Sequence, residues 1–218
     1  MLHTTDNLII ENISKANDEF LKAFYNEIKG LNKKIVNIIN SKGLKIILAD
    51  KLSDILPSDK NDIEKTQDYH PVDRNITTHG LCFDTINAIC IFSNTTSIQN
   101  PGTILYHEIG HLLDFYNSWG KEDIMPELSI KEEFIKAYKK DITNHWDKIK
   151  NDNRFRLKHY IQSSTPENIS QAGLVETFAS CFAKINKKQK DIDILGEYFE
   201  NSVIAARNIY NEFLSKFK

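Results

Sequence analysis

Tyr106-His107-Glu108-Ile109-Gly110-His111-Leu112-Leu113-Asp114 places two histidines four residues apart, with a glutamate directly after the first. On an α-helix, residues i and i+4 share a face about one turn apart, so both imidazoles can reach a single cation. This is the H-E-x-x-H pattern of zinc peptidases. His107 and His111 read as zinc ligands, and Glu108 is placed to take a proton from a metal-activated water rather than to bind the metal. The plain alternative is an amphipathic helix with two surface histidines. Against it, Ile104, Leu105, Ile109, Leu112, Leu113 and Phe115 make the stretch apolar almost all round, which predicts a buried helix. Buried imidazoles and a buried carboxylate need partners, and one cation serves them together. Asn100 suits the N-cap, and Pro101 then falls at the first helical position, where its missing N–H is not needed.

Upstream of this helix, Leu81-Cys82-Phe83 and Ala88-Ile89-Cys90-Ile91-Phe92 flank a turn containing Asp84 and Asn87, which predicts a β-hairpin. In zinc peptidases of this general type an extended substrate lies along a sheet edge beside the metal helix. A peptide or protein partner is therefore expected along the hairpin near residues 81–92, held by strand addition. A hairpin that only closes the sheet is the alternative. Leu44 to Ala49 reads as a strand after Gly43, and the polar stretch from Ser53 to His79 as a long surface loop. From Ile13 to Ile39 apolar residues recur at helical spacing, with Gly30 dividing them into two helices or one interrupted helix.

Downstream, Asn117-Ser118-Trp119-Gly120 ends the motif helix. Ser129-Ile130-Lys131-Glu132 has the spacing of a capping box opening a further helix. The segment from Thr143 to Ile161 is partly helical, Ser163 to Asn168 a loop, Ala172 to Ile185 an apolar helix, and Asp191 to Phe217 one long C-terminal helix. The expected layout is a single domain over 1–218: helices in 1–42, the sheet and zinc helix in 43–117, and a helical half in 118–218.

Composition narrows the classes. The chain is 40% hydrophobic and 27% charged with a net charge of -2, ordinary for a globular protein and no basis for nucleic-acid binding. Lys187-Lys188-Gln189-Lys190 reads as a solvated loop. No stretch is long enough to span a membrane, and Met1 to Asn7 lacks the pattern of a signal peptide, so the expected location is cytoplasmic. Cys82, Cys90 and Cys181 are an odd number without a C-x-x-C pair and are expected as reduced, mostly buried thiols. A Cys82–Cys90 disulfide across the hairpin is the alternative.

Catalytic zinc has three protein ligands and an open position. The continuation H-E-x-x-H-x-x-G-x-x-H is excluded, because Asp114 stands at its glycine and Asn117 at its third histidine. The best third ligand is Glu176, a carboxylate in the apolar run Gly173-Leu174-Val175-Glu176-Thr177-Phe178-Ala179-Ser180-Cys181-Phe182-Ala183, where coordination would offset the cost of burial. A surface position or a lysine partner is the alternative for Glu176. Asp114 is expected either to accept from a ligand imidazole or to serve in helix packing. His145 and His159 are the late histidines available to a closed, purely structural site.

The pairing of Y-H-E-I-G-H-L-L-D-F with the distant E-T-F-A-S-C-F resembles the peptidase domain of anthrax toxin lethal factor. It resembles still more the small clostridial Pro-Pro endopeptidases, over roughly residues 43 to 185. The resemblance implies His107, His111 and Glu176 as ligands of one zinc ion and Glu108 as general base. The family's second glutamate in the later helix is Ser180 here, so the interaction it makes is missing or replaced. The family's oxyanion tyrosine falls at Ile169, and Tyr160, which precedes a similar Ser-Thr-Pro segment, is the nominated donor. Family members are secreted, which leaves export by another route open. The overall expectation is an α+β zincin-type metallopeptidase of the gluzincin class. The alternative is a catalytically degenerate zincin that uses its groove to bind a peptide or protein.

Overall fold

A computed structural model describes residues 2–5, 8–13, 18–50, 54–55, 80–83, 87–93, 101–187 and 193–217. Most of the expected Ser53–His79 loop, the Asp84 turn position, the Asn100 cap and Lys188–Lys190 lie outside them. The chain divides into two compact units, Met1–Leu105 and Tyr106–Lys218.

Among the described residues, the first unit has a five-stranded mixed sheet and two helices ahead of the motif helix. Its strands are β1 (Leu2–Thr5), β2 (Leu8–Asn12), β3 (Lys45–Ala49), β4 (Gly80–Phe83) and β5 (Ala88–Phe92), in the spatial order β1-β2-β3-β5-β4. The inner strands β2, β3 and β5 run parallel, and the outer strands β1 and β4 pair antiparallel to their neighbours. Parallel strands covered on both faces read as unbroken apolar runs. Ala88-Ile89-Cys90-Ile91-Phe92 is accordingly buried along its whole length. One face collects Ile47, Ala49, Ala88, Cys90 and Phe92 with Ile55 against them. In β2 the pattern alternates instead: Leu8 and Ile10 are buried while Ile9 is exposed.

The two helices are α1 (Asp18–Lys29) and α2 (Lys33–Ser41), divided near Gly30 as the spacing predicts. The Asn32 side chain caps α2 by accepting from the Lys34 N–H at 2.9 Å. Gly43, at φ +62, takes the left-handed conformation that turns the chain into β3. In the hairpin, Asn87 at φ +49 donates through Nδ2 to the Lys42 and Gly43 carbonyls at 3.0 Å, tying the turn to that junction. Register pairs Cys90 with Leu81 and Cys82 with Ile89, and Cys90 and Cys181 are both buried.

α3 (Pro101–Asp114) begins in the first unit and carries the histidine motif into the second. The second unit is helical: α4 (Glu132–Ile149), α5 (Phe155–Ile161), α6 (Gln171–Asn186), α7 (Asp193–Tyr198) and α8 (Glu200–Ser215). α6 is its centre, with every residue from Gly173 to Ala183 buried. An all-round apolar helix is stable only when enclosed, and α5 and α8 pack against it. Phe178 meets Phe134 edge-on at 4.8 Å and Tyr210 at 4.5 Å, and the Tyr210 hydroxyl donates to the Phe178 carbonyl.

Three expectations are corrected. The N-terminal segment contributes β1 and β2 as well as helices. α4 does not open with a capping box: its N-cap is Lys131, without a side-chain cap bond, and Ser129 is wholly buried with its N–H on Asp114. The C-terminal helix is two helices, broken at Phe199, because Asp141 of α4 takes over the start of α8. Its carboxylate accepts from the Asn201 and Ser202 backbone N–H groups, Asn201 Nδ2 and the Ser202 hydroxyl.

Candidate metal centre

His107 and His111 occupy successive turns of α3 with their rings 4.7 Å apart. Their Nε2 atoms face one another at 3.1 Å. Glu176 enters from α6, with Oε2 3.5 Å from His107 Nε2 and Oε1 3.7 Å from His111 Nε2. The structure thus brings together all three sequence-predicted ligands, one potential ligand atom from each lying within 4.8 Å of the others. Two ligand atoms of a tetrahedral zinc, each bonded at about 2.0–2.1 Å, stand roughly 3.4 Å apart, so edges of this length fit such an ion. The donor set, two imidazole nitrogens and a carboxylate oxygen, suits a divalent cation of zinc's character.

This convergence depends on how closely α3 and α6 approach. Gly110, between the two histidines, lies so near Ala179 that an added Cβ would stand 2.7 Å from the Ala179 Cα and 2.9 Å from its carbonyl oxygen. Only a residue without a side chain lets the two backbones meet there. One turn from Glu176, Ser180 presents Oγ 3.1 Å from His107 Nδ1. With the Nδ1–H donating to that hydroxyl, Nε2 is left with its lone pair toward the cluster. Ser180 thus stands against the His107 ring rather than apart from the cluster.

Glu108 is buried beside the trio. Burial pushes its carboxyl up to about 7, against the lowering influence of His107. Glu176 behaves in the opposite way. Burial alone would raise it, but the imidazoles of His159, His111 and His107 gathered around it outweigh that effect and hold it well below the ordinary carboxylate range. Two carboxylates under the influence of the same His107 and His159 are thus driven apart, one toward proton exchange near neutrality and one toward a fixed charge.

Asp114 belongs to packing. Its Oδ1 accepts from the backbone N–H groups of Glu127, Leu128 and Ser129 at 2.7–3.2 Å, fixing the segment that leads into α4. His145 lies elsewhere, edge-on to Tyr198. Tyr160, the nominated oxyanion donor, is buried at the end of α5 with its ring edge-on to Phe199 at 6.2 Å.

The residue that α5 brings to the cluster is its neighbour His159, whose Nε2 stands 2.7 Å from Glu176 Oε2. Sequence reasoning reached His159 only as a spare histidine for a closed site. No local pattern marks it, because its place depends on the corner between α5 and α6. There Tyr138 and Thr177 both donate to the Tyr160 carbonyl, at 2.9 and 3.0 Å. Side-chain exposure is 40% at His159 and 21% at His107, against 8% at His111 and 5% at Glu176, so the cluster opens to solvent on the side of the first two.

No family model matches the sequence, and no curated protein matches it. Among solved structures, the PRO-PRO endopeptidase from Paenibacillus alvei aligns with a TM-score of 0.55 and 14% sequence identity, over 92% of this chain and 96% of that one. The fold resembles that of a Pro-Pro endopeptidase. At this identity the likeness is one of architecture: an α+β fold with a small mixed sheet, a motif helix and a helical C-terminal half. Among the described residues no helix is long and apolar enough to cross a membrane.

Proposed function

We propose that the chain is a zinc-dependent endopeptidase. The observation that carries this reading is the triangle formed by His107, His111 and Glu176 beside the buried Glu108. His107, His111 and Glu176 would hold the zinc, which when bound would supply a Lewis acid for the scissile carbonyl and the attacking water. Glu108 takes the water's proton and passes it to the departing amine, a task suited to a carboxyl that burial has pushed up to about 7. Ser180 keeps the His107 ring in the tautomer that ligation needs. Tyr160 is proposed as the donor to the developing oxyanion. The peptide or protein substrate is proposed to add as an extended strand near residues 81–92, where β4 is an outer strand of its sheet. A Pro-Pro preference is the first specificity to try, on the strength of the fold neighbour's name.

The test is zinc content measured beside cleavage of a diverse peptide library that includes Pro-Pro sequences. Wild type should bind one zinc per chain and cleave. Glu108→Gln should keep the metal and lose at least about 10²–10⁴-fold in turnover, whereas His107→Ala should lose both metal and activity. Undiminished turnover by Glu108→Gln would overturn the assignment of the base. Bound zinc without cleavage in any protein favours a degenerate zincin acting as a binding module.

A further inference from the structure

Among the described residues, His159 stands at this centre without a task in the proposed mechanism, and any role for it rests on the proposal that the centre holds a metal. Its contact with Glu176 Oε2, at 2.7 Å, is shorter than the distance from either candidate ligand histidine to that carboxylate. Its other ring nitrogen, Nδ1, lies 3.3 Å from Gln162 Nε2. An amide nitrogen can only donate, so Nδ1 accepts, and the ring hydrogen falls on Nε2, the nitrogen that stands 2.7 Å from Glu176 Oε2. His159 is not among the three residues whose ligand atoms cluster within 4.8 Å. It therefore reaches the carboxylate and not the cation position.

The aim of the ring is fixed by the corner that carries it. Gln162 closes α5 at φ +40, and Ser163 comes next at φ +66. Ser170 Oγ donates to the Gln162 carbonyl at 2.6 Å, and Tyr138 and Thr177 hold the carbonyl of Tyr160. A carboxylate can grip a metal with one oxygen or with two. When Oε2 accepts from His159, Oε1 remains as the free oxygen, and it is the one nearer His111.

We propose that His159 is a positioning residue of the metal centre: its Nε2–H holds Glu176 Oε2, so that Glu176 meets the cation through Oε1 alone and one coordination position stays open. Outer hydrogen-bond partners of this kind change metal affinity by about 10–100-fold.

The experiment titrates the metal-free full-length chain with Zn²⁺ and with Co²⁺, whose visible absorption reports coordination number. Wild type should bind one cobalt with the intense bands of a four-coordinate site. His159→Leu should bind about 10–100-fold more weakly, with weaker bands as Glu176 turns to ligate through both oxygens. His159→Gln, whose amide N–H can reach the same oxygen, should restore affinity and spectrum. Gln162→Asn tolerates the left-handed backbone but withdraws the amide from His159, and should shift the spectrum in the same direction as His159→Leu. Wild-type affinity and spectrum in a His159→Leu protein with a normal circular dichroism spectrum would overturn the proposal. Should that variant fail to fold, an unchanged spectrum in Gln162→Asn would do so. A wild-type chain that takes up neither metal would overturn the metal centre itself.

Discussion

A methyl group has no room between Gly110 and Ala179, so Gly110→Ala must part α3 from α6. Overpacking of this kind costs about 1–3 kcal/mol, to be read from urea unfolding of the metal-free protein. Metal affinity should fall with it, because two ligands ride on one helix and the third on the other. Ser180→Ala makes a narrower change. It should leave stability within about 0.5 kcal/mol but weaken zinc binding by about tenfold, since the His107 ring loses the partner on Nδ1. His107, Glu108, His111 and Glu176 were all legible in the sequence. The first three announce themselves through helical period, and Glu176 through the anomaly of a carboxylate inside an apolar run. Ser180 and His159 were not legible as contacts of those residues. Ser180 and His107 are 73 positions apart, and only packing decides that they touch.

Two buried aspartates act on whole elements by supplying the acceptors that helix starts and turns lack. Asp141 holds the first turn of α8 from across the unit, and Asp141→Ala strands four donors. A loss of about 2–3 kcal/mol is expected in thermal or denaturant unfolding. Neither this bond nor the break at Phe199 shows in the local sequence, where the apolar spacing runs on through α7 and α8. Asp114 does the same for residues 127–129, but burial pushes its carboxyl up from 3.8 to about 6. Between those values the folded chain keeps a proton that the unfolded chain has released. Raising the pH through that window therefore destabilises the native state. Asp114→Asn retains an acceptor oxygen without the ionisable proton. Wild-type stability measured against that variant should fall from about pH 4 to about pH 6, by on the order of 2 kcal/mol. A flat difference across that range would contradict the shift. The break at Gly30 was easier to read, because a glycine within helical spacing is a local signal.

At the scale of the molecule, the elements of the site lie far apart in the chain, and a cation bound as proposed would link α3 to α6. Removing it should lower the melting temperature. At a thousandfold excess of free metal over Kd the bound state gains about 4 kcal/mol, so a chelator titration monitored by calorimetry reads the coupling directly. The two-motif pairing, the hairpin and the helical second unit were legible because each has its own periodicity. β1 and β2 were not, since a strand of four or five residues at a chain end gives too short a pattern to separate from its surroundings. The enclosure of α6 and the brevity of α5 give the two helices different routes to solvent. Amide hydrogens in α6 should exchange only when the whole unit opens. Those of α5, a seven-residue helix, should exchange through small local openings. Ligation of Glu176 would then slow deuterium uptake in α5, through His159, while leaving the core of α6 no slower relative to global unfolding than before.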